Sequence, residues 1–287
     1  MTTITATHAS PTAPAQDPLA PAARPPYRVT GQRVLRSEWA KLWSLRSTWI
    51  TLGLGLVFMV AFGLIAAVQY KSRISSGQHI DADFAKATAV SLSLFGTNFA
   101  QLALGVLGVL VTAGEYSTGM IRSTLAAVPH RLPVLWSKSA VFGVVALVVG
   151  TAGAVITFLF ASGVVSGTPA ALTLGDAGVL RSLLGAGLYL GLVGVIGTAL
   201  GALLRSVAGG ISVLVGALML VPGLISLLPS AWQNDIGPYL PSNAGESMFA
   251  LHHAANTLTP TAGLAVFLGW TVLALAGAAY RLVHTDA

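Results

Sequence analysis

The sequence predicts an all-α, polytopic membrane protein, and its composition, its long apolar segments and the placement of its charges lead to this fold class. Hydrophobic residues make up 54% of the 287 positions and charged residues only 8%. A water-soluble domain carries about 25% charged residues. Such a chain cannot cover its surface with polar groups, so lipid is its expected solvent. The sequence contains no cysteine, which excludes a disulfide framework and a thiolate metal site.

The first 30 residues are rich in Ala, Pro and Thr, and we expect residues 1–30 to be a disordered cytoplasmic tail. This composition offers too little apolar surface to offset the entropy of ordering. It also lacks the continuous apolar block of a signal peptide. A transit peptide is the alternative, although residues 1–26 contain a single arginine, Arg24.

Residues 31–47 are predicted to form an amphipathic helix at the membrane surface. Helical spacing gives this segment an apolar face of Leu35, Trp39, Leu42 and Trp43 and a polar face of Arg33, Arg36, Lys41 and Ser44. Tryptophan at the interface and cations toward the phosphates are typical of a helix in the headgroup plane. The alternative is a simple basic flank of the next membrane helix.

Six apolar segments follow, each close to the roughly 20 residues that cross about 30 Å of hydrocarbon. They are residues 48–70, 90–113, 139–165, 179–204, 208–228 and 260–280. We expect all six to be helices, because backbone groups in lipid must satisfy their own hydrogen bonds. Only three residues separate the fourth segment from the fifth, which predicts a tight antiparallel hairpin.

The distribution of Lys and Arg predicts the orientation of the bundle. Eleven of these residues fall on the side that carries both termini and the loop at 114–138, and four fall on the other side. Cytoplasmic loops carry the excess of positive charge. Both termini are therefore expected to be cytoplasmic, in a multi-pass protein of the cell (plasma) membrane.

The spans carry no Asp, Glu, Lys or Arg near their middle, whereas an ion-coupled carrier is expected to hold a coupling charge there. Asn98 and Gln101, one turn apart, are candidates for lining a pathway, with interhelical hydrogen bonding as the alternative role. Gly197 and Gly201 have the spacing of a close helix contact. These features indicate a tightly packed bundle whose energy source lies elsewhere.

No catalytic, cofactor-binding or metal-binding motif is found, so we expect this chain not to be an enzyme. The sequence lacks GxxxxGK[ST], GxGxxG, HExxH and GxSxG. A metal site of His252, His253 and Glu246 is the alternative considered. No basic run with interleaved aromatic residues is present, so no nucleic-acid partner is expected.

The loop at residues 114–138 is the polar interval between the second and third apolar segments. Residues 119–128 can form a short helix that includes Met120, Ile121, Leu125 and Val128 and that ends before Pro129. An amphipathic helix of this kind is suited to a groove on another protein. The alternative is an ordinary solvated loop with basic residues.

Seven residues of this loop follow the pattern E-x3-G-x2-R-x2-L-x3-P-x-R-x6-K: Glu115, Gly119, Arg122, Leu125, Pro129, Arg131 and Lys138. The pattern resembles the first cytoplasmic loop of type-2 ABC transporter permeases, the membrane subunits of bacterial ABC exporters. The upstream segment SEWAKLWSLRSTW, with Glu38, Trp39, Lys41 and Arg46, is similar to the elbow helix that opens many actinobacterial members. The resemblance covers nearly everything after residue 30.

The resemblance implies that residues 31–287 form a six-helix permease domain that pairs with a separate ATP-binding-cassette ATPase. Two permeases, as a homodimer or a heterodimer, would join two ATPases, with membrane lipid around them and no cofactor on this chain. Residues 119–128 would be the coupling helix, braced by Glu115 and Arg131. The scarcity of charge favours a lipophilic or amphipathic substrate. The loop at 229–259 is expected to form short helices that cap the exit, with structural closure of the bundle as its alternative role. The alternatives are a non-transport assembly or sensor subunit, or an ion-coupled carrier.

Overall fold

Every regular element in the described part of the chain is a helix, in a computed structural model that describes residues 30–77, 82–127, 131–252 and 256–285. Six helical segments are long and apolar enough to cross a membrane. This confirms the predicted all-α, multi-pass fold. The predicted tail falls almost wholly outside the described residues, as do Val128, Pro129, His130 and His253.

Thirteen α-helices are described. In chain order they are α1 (Gly31–Ser44), α2 (Arg46–Ser75), α3 (Ala82–Ala85), α4 (Ala89–Leu94), α5 (Thr97–Ser117), α6 (Met120–Ala127), α7 (Arg131–Val164), α8 (Val179–Leu204), α9 (Val207–Val215), α10 (Val221–Ile225), α11 (Ser230–Asp235), α12 (Pro241–Phe249) and α13 (Pro260–His284). A π-helical turn, Gly216–Leu220, joins α9 to α10, and a 3-10 turn, Gly237–Tyr239, precedes α12. The six spans are α2, α4 with α5, α7, α8, α9 with α10, and α13.

Several boundaries differ from those predicted, and three of the differences affect the charged residues or the close packing of helices. The third span begins at Arg131 instead of residue 139, so Arg131 and Lys138 lie on a helix and not in a loop. Arg46, expected in the elbow helix, is the first residue of α2, because Leu45 is extended and ends α1. The second span breaks at Phe95 and Gly96, where a Cβ on Gly96 would lie 2.1 Å from the carbonyl oxygen of Met59. This break lets the backbone of α2 approach closely.

The core is built around α8. Within the most apolar stretch of this helix, 67% of the residues are buried. A Cβ on Gly197 would lie 2.3 Å from the carbonyl oxygen of Gly105 on α5. Such an approach of two backbones is open to small residues only. In the apolar stretch of the span formed by α9 and α10, only 17% of the residues are buried. Most of the apolar surface of this span therefore faces outward.

At one end of the bundle the first turn of α7 lies next to the C-terminal ends of α8 and α13. We call this end, which carries Arg131 and Arg281, the basic end. Arg131 at the start of α7 donates to the carbonyl oxygens of Leu282 and Thr285, at 3.1 and 3.2 Å. Arg281 on α13 donates to the carbonyl oxygen of Leu203, which lies at the end of α8, at 2.6 Å. Carbonyl groups at helix C-termini lack intrahelical partners, and these arginines satisfy them. The side of the membrane that this end faces stays a prediction.

Candidate functional site

A buried network of four charged side chains lies at the basic end. The ammonium of Lys138 is 2.6 Å from Oε2 of Glu38 and 2.8 Å from Oε1 of Glu115. The ammonium of Lys41 is 2.8 Å from Oε1 of Glu38 and 3.2 Å from Oε1 of Glu115. Two carboxylates and two ammonium groups thus form a closed ring of ion pairs, which we call the ion-pair ring.

The ring draws its members from three helices. Glu38 and Lys41 are three positions apart on α1 and therefore share a face. Glu115 lies in the last turn of α5, and Lys138 is the eighth residue of α7, counted from Arg131. The ring therefore joins α1 to the second and third spans.

Burial explains why the four charges occur as a set. Glu38 and Lys138 are each 4% exposed and Glu115 is 8% exposed, and a single buried charge without a partner is strongly destabilising. Burial by itself raises the pKa of Glu38, but the charges and hydrogen bonds of Lys138 and Lys41 outweigh it, so this pKa lies below its ordinary value. Burial by itself lowers the pKa of Lys41. The charges and hydrogen bonds of Glu38 and Glu115 raise it by more, so this pKa lies above its ordinary value. Glu38 is thereby held as a carboxylate and Lys41 as an ammonium.

The hydrogen bonds of the ring are unevenly distributed. Lys138 uses its third donor on the carbonyl oxygen of Val111 at 3.4 Å. Both oxygens of Glu38 accept hydrogen bonds. Glu115 accepts both of its described bonds at Oε1, and its buried Oε2 has no hydrogen-bond partner among the described residues. Within this part of the chain, Oε2 is therefore an unused acceptor of the ring.

The short helix α6 is linked directly to this ring. Lys41 donates to Oγ1 of Thr124 on α6 at 3.3 Å. Gly119, with a φ of 75°, forms the turn between α5 and α6, a left-handed conformation that glycine adopts readily at helix ends. Ile121 is buried at 6% exposure, while Met120 is 49% exposed. The helix predicted at 119–128 is thus present at Met120–Ala127 and rests on the bundle by one face.

The other predicted residues of the loop have different surroundings. Arg122 is exposed and Leu125 is half-buried, and Pro129 lies outside the described residues. The described partners of Glu115 are Lys41 and Lys138, while Arg131 reaches the end of α13. On α1, Trp39 is 46% exposed, and its ring is 5.2 Å from that of Trp43.

A second polar group lies within the bundle. Gln101 is 3% exposed, and its Oε1 accepts a short hydrogen bond from the hydroxyl of Tyr189 on α8. Its Nε2 donates to Oδ1 of Asn98 at 3.4 Å, and Asn98 is exposed. Tyr189 also packs against Phe249 and Phe267, at ring distances of 5.6 and 5.1 Å. Gln101 therefore makes an interhelical hydrogen bond, while Asn98 faces outward.

Sequence reasoning missed two members of these networks. Thr124 and Tyr189 carry no charge, and neither belongs to a motif or a charge pattern in the sequence. The loop pattern that includes Gly119 and Arg122 predicted the helix α6 but not the contact of Thr124 with Lys41.

No protein-family model matches this sequence, and no similar curated protein is found. The family resemblance therefore stays a prediction. Among the described residues, no group of three or more His, Asp or Glu side chains is arranged to hold a metal ion. His253, one member of the alternative metal site, lies outside them.

Proposed function

We propose that this chain is the membrane-spanning permease subunit of an ATP-binding-cassette exporter. In this proposal the basic end faces the cytoplasm, a separate subunit hydrolyses ATP, and a lipophilic or amphipathic substrate leaves through the bundle. The observation that carries the proposal is the position of α6, a short helix that is held to the ion-pair ring on one side and leaves Met120 and Arg122 exposed on the other.

The contacts of α6 support a mechanical role. A force applied by the ATPase to α6 would reach α5 directly through the short turn at Gly119. It would reach α1 through Thr124 and Lys41, at 3.3 Å, and α7 through Glu115 and Lys138, at 2.8 Å. ATP binding would then shift the population between two arrangements of the spans, provided that the ATPase binds one arrangement more tightly.

A partly exposed aromatic cluster, in which Phe95 is exposed and Phe62 and Phe99 are half-buried, supports a pathway between two permease copies. Phe62 stacks on Phe99 with ring centroids 3.7 Å apart, and Phe95 lies 6.4 Å from Phe99. The exposed amide of Asn98 lies in the same segment, and a polar group in the hydrocarbon region normally faces protein or water. A second permease, the same or related, would enclose this surface and give aromatic rings and one amide to a lipophilic substrate.

The test is co-purification with an ATPase that carries a phosphate-binding loop and is encoded next to this chain. Arg122→Glu reverses an exposed charge on α6, and Leu125→Asp places a carboxylate on its half-buried face. We expect each change to reduce complex formation and the stimulation of ATP hydrolysis at least tenfold, since a loss of about 1.4 kcal/mol of binding free energy is tenfold in affinity.

Lys71→Glu is the matched control, because it reverses an exposed charge on α2 at the end of the bundle away from α6. It should leave the complex intact. An unchanged complex and unchanged ATP hydrolysis with both α6 variants would rule out the coupling role. Transport by the isolated chain without ATP would instead support a carrier.

A further inference from the structure

A cavity of about 260 Å³ opens beside the ion-pair ring, and the proposed transport cycle makes no use of it. All four charged residues of the ring line one part of it. Its apolar wall is formed by Leu42, Leu45, Leu110, Val111 and Met120. The cavity is thus polar at one end and apolar along its sides, which are the properties of a site for an amphipathic molecule.

Close to this cavity the ring holds an acceptor that lacks a described donor. Glu115 lines the cavity and is 8% exposed, and its enclosed Oε2 has no hydrogen-bond partner within the described residues. The terminal torsion of a glutamate takes a broad range of angles, so a rotation of the carboxylate can bring Oε2 to a donor in the cavity. A buried acceptor left without a donor is costly. A ligand with an N–H group would remove that cost.

The charge balance of the ring selects a ligand with both signs of charge. The side chain of Lys41 is 31% exposed, whereas those of Glu38 and Lys138 are 3% and 4% exposed. An anion that approaches Lys41 also meets two carboxylates, and a cation that approaches Glu115 also meets two ammonium groups. A ligand whose ammonium binds Glu115 while its neighbouring phosphate binds Lys41 avoids both repulsions.

The position of the cavity indicates a membrane lipid. Leu45, Leu110 and Met120 are 51%, 39% and 49% exposed, so the apolar wall continues onto the outer surface of the bundle. Trp39, Trp43 and Trp49, which flank the lining residues Leu42 and Leu45 in the chain, form a cluster of tilted rings with neighbouring ring distances of 5.2 and 4.2 Å. Tryptophan is enriched at headgroup depth. We infer that this cavity binds phosphatidylethanolamine, with its primary ammonium on Glu115, its phosphate on Lys41 and its acyl chains along the apolar wall.

The test is lipid titration of the purified full-length chain, followed by native mass spectrometry. Three lipids with identical acyl chains are compared: phosphatidylethanolamine, phosphatidylcholine, whose quaternary ammonium has no N–H donor, and the anionic phosphatidylglycerol. We expect an apparent Kd for phosphatidylethanolamine about tenfold below the other two, which corresponds to about 1.4 kcal/mol. This outcome does not depend on the ATPase.

Two variants locate the site. Glu115→Gln keeps the shape of the side chain but puts an N–H₂ group where an acceptor is needed, and Leu110→Trp fills the cavity from its wall without touching the ring. Both should remove the preference for phosphatidylethanolamine. Leu268→Trp, a change at a similarly exposed position (41%) on α13, should keep it.

Three results would overturn the inference. Equal Kd values for phosphatidylethanolamine and phosphatidylcholine would mean that only ordinary surrounding lipid binds. The lowest Kd for phosphatidylglycerol would mean that the lysines alone attract an anion. A preference that survives Leu110→Trp would place the lipid elsewhere on the protein.

Discussion

The ammonium of Lys138 lies 2.6 Å from the carboxylate of Glu38, although 100 positions separate the two residues in the chain. Both side chains are almost completely buried. This ion pair holds α1 against the third span, and Glu115 extends the network to the second span. Ion pairs therefore attach α1 to the bundle, while Trp39 is 46% exposed and Trp43 is half-buried.

Lys138→Met tests the stabilising role of the ring. The change leaves two buried carboxylates with Lys41 as their remaining cation, and breaking a buried pair costs about 3 to 5 kcal/mol. We expect a clear fall in the Tm of the purified protein in detergent. Lys71→Met, at an exposed position, should leave the Tm unchanged. Adding Glu38→Gln to Lys138→Met should recover part of the loss, and no recovery would contradict the pairing.

The ring also predicts how stability depends on pH. The pKa of Glu38 is lowered from 4.5 in the folded protein, so its contribution is complete above pH 4.5 and is lost as the pH falls through the lower, folded pKa. The pKa of Lys41 is raised from 10.5, so its contribution is complete below pH 10.5 and is lost as the pH rises through the higher, folded pKa. The contribution of Glu38 and Lys41 to stability should therefore be constant between pH 4.5 and pH 10.5.

A series of Tm measurements from pH 3 to 6 checks the acidic limit. This pH range is chosen because carboxyl groups ordinarily titrate near pH ~4. Glu38→Gln should flatten the decrease below pH 4.5, whereas Asp235→Asn, at an exposed position, should retain it. An unchanged acidic decrease in Glu38→Gln would show that other groups cause it.

Thr124→Val should loosen α6, because it removes the hydroxyl that accepts from Lys41 at 3.3 Å. Local stability determines how fast backbone amides exchange with solvent. We expect faster hydrogen exchange in the peptide that covers Met120–Ala127, with unchanged exchange in α8. Ser123→Ala is the control, since the hydroxyl of Ser123 donates only to Met120 of the same helix in the described contacts. Equal exchange rates in both variants would argue against the link.

Tyr189→Phe leaves the buried Oε1 of Gln101 without its donor. Hydrogen bonds between membrane helices contribute about 0.6 kcal/mol on average and up to about 1.7, so we expect a modest fall in Tm. Gln101→Leu combined with Tyr189→Phe should cost less than the sum of the two single changes. A double-mutant cycle measures this difference, and strictly additive losses would contradict the contact.

Gly197→Ala should separate α5 from α8, because the new Cβ would lie 2.3 Å from the carbonyl oxygen of Gly105. Backbone cannot move aside cheaply in a close-packed core, so a fall of several degrees in Tm is expected. Gly53→Ala is the matched control, since a Cβ at Gly53 on α2 meets nothing within 4 Å. Similar Tm values for the two variants would contradict the close approach.

The sequence alone determined the fold class, the approximate position of all six spans, and the helix near residue 120. Hydropathy and helical periodicity are local properties, so they can be read from neighbouring residues. Helix ends were less predictable, because hydropathy reports contact with lipid and not where helical hydrogen bonding stops. Lys138 therefore appeared to be a loop residue, although it lies on α7 and is buried.

The tertiary structure decided which charges meet. Glu38, Lys41, Glu115 and Lys138 were each singled out in the sequence, but as parts of two separate segments. Their assembly into one ring depends on the rotation and relative height of α1, α5 and α7, which are set by packing between helices far apart in the chain. The same packing leaves Oε2 of Glu115 without a donor in the part of the chain that the structure describes. This property of the space around one oxygen is not encoded in any local pattern of residues.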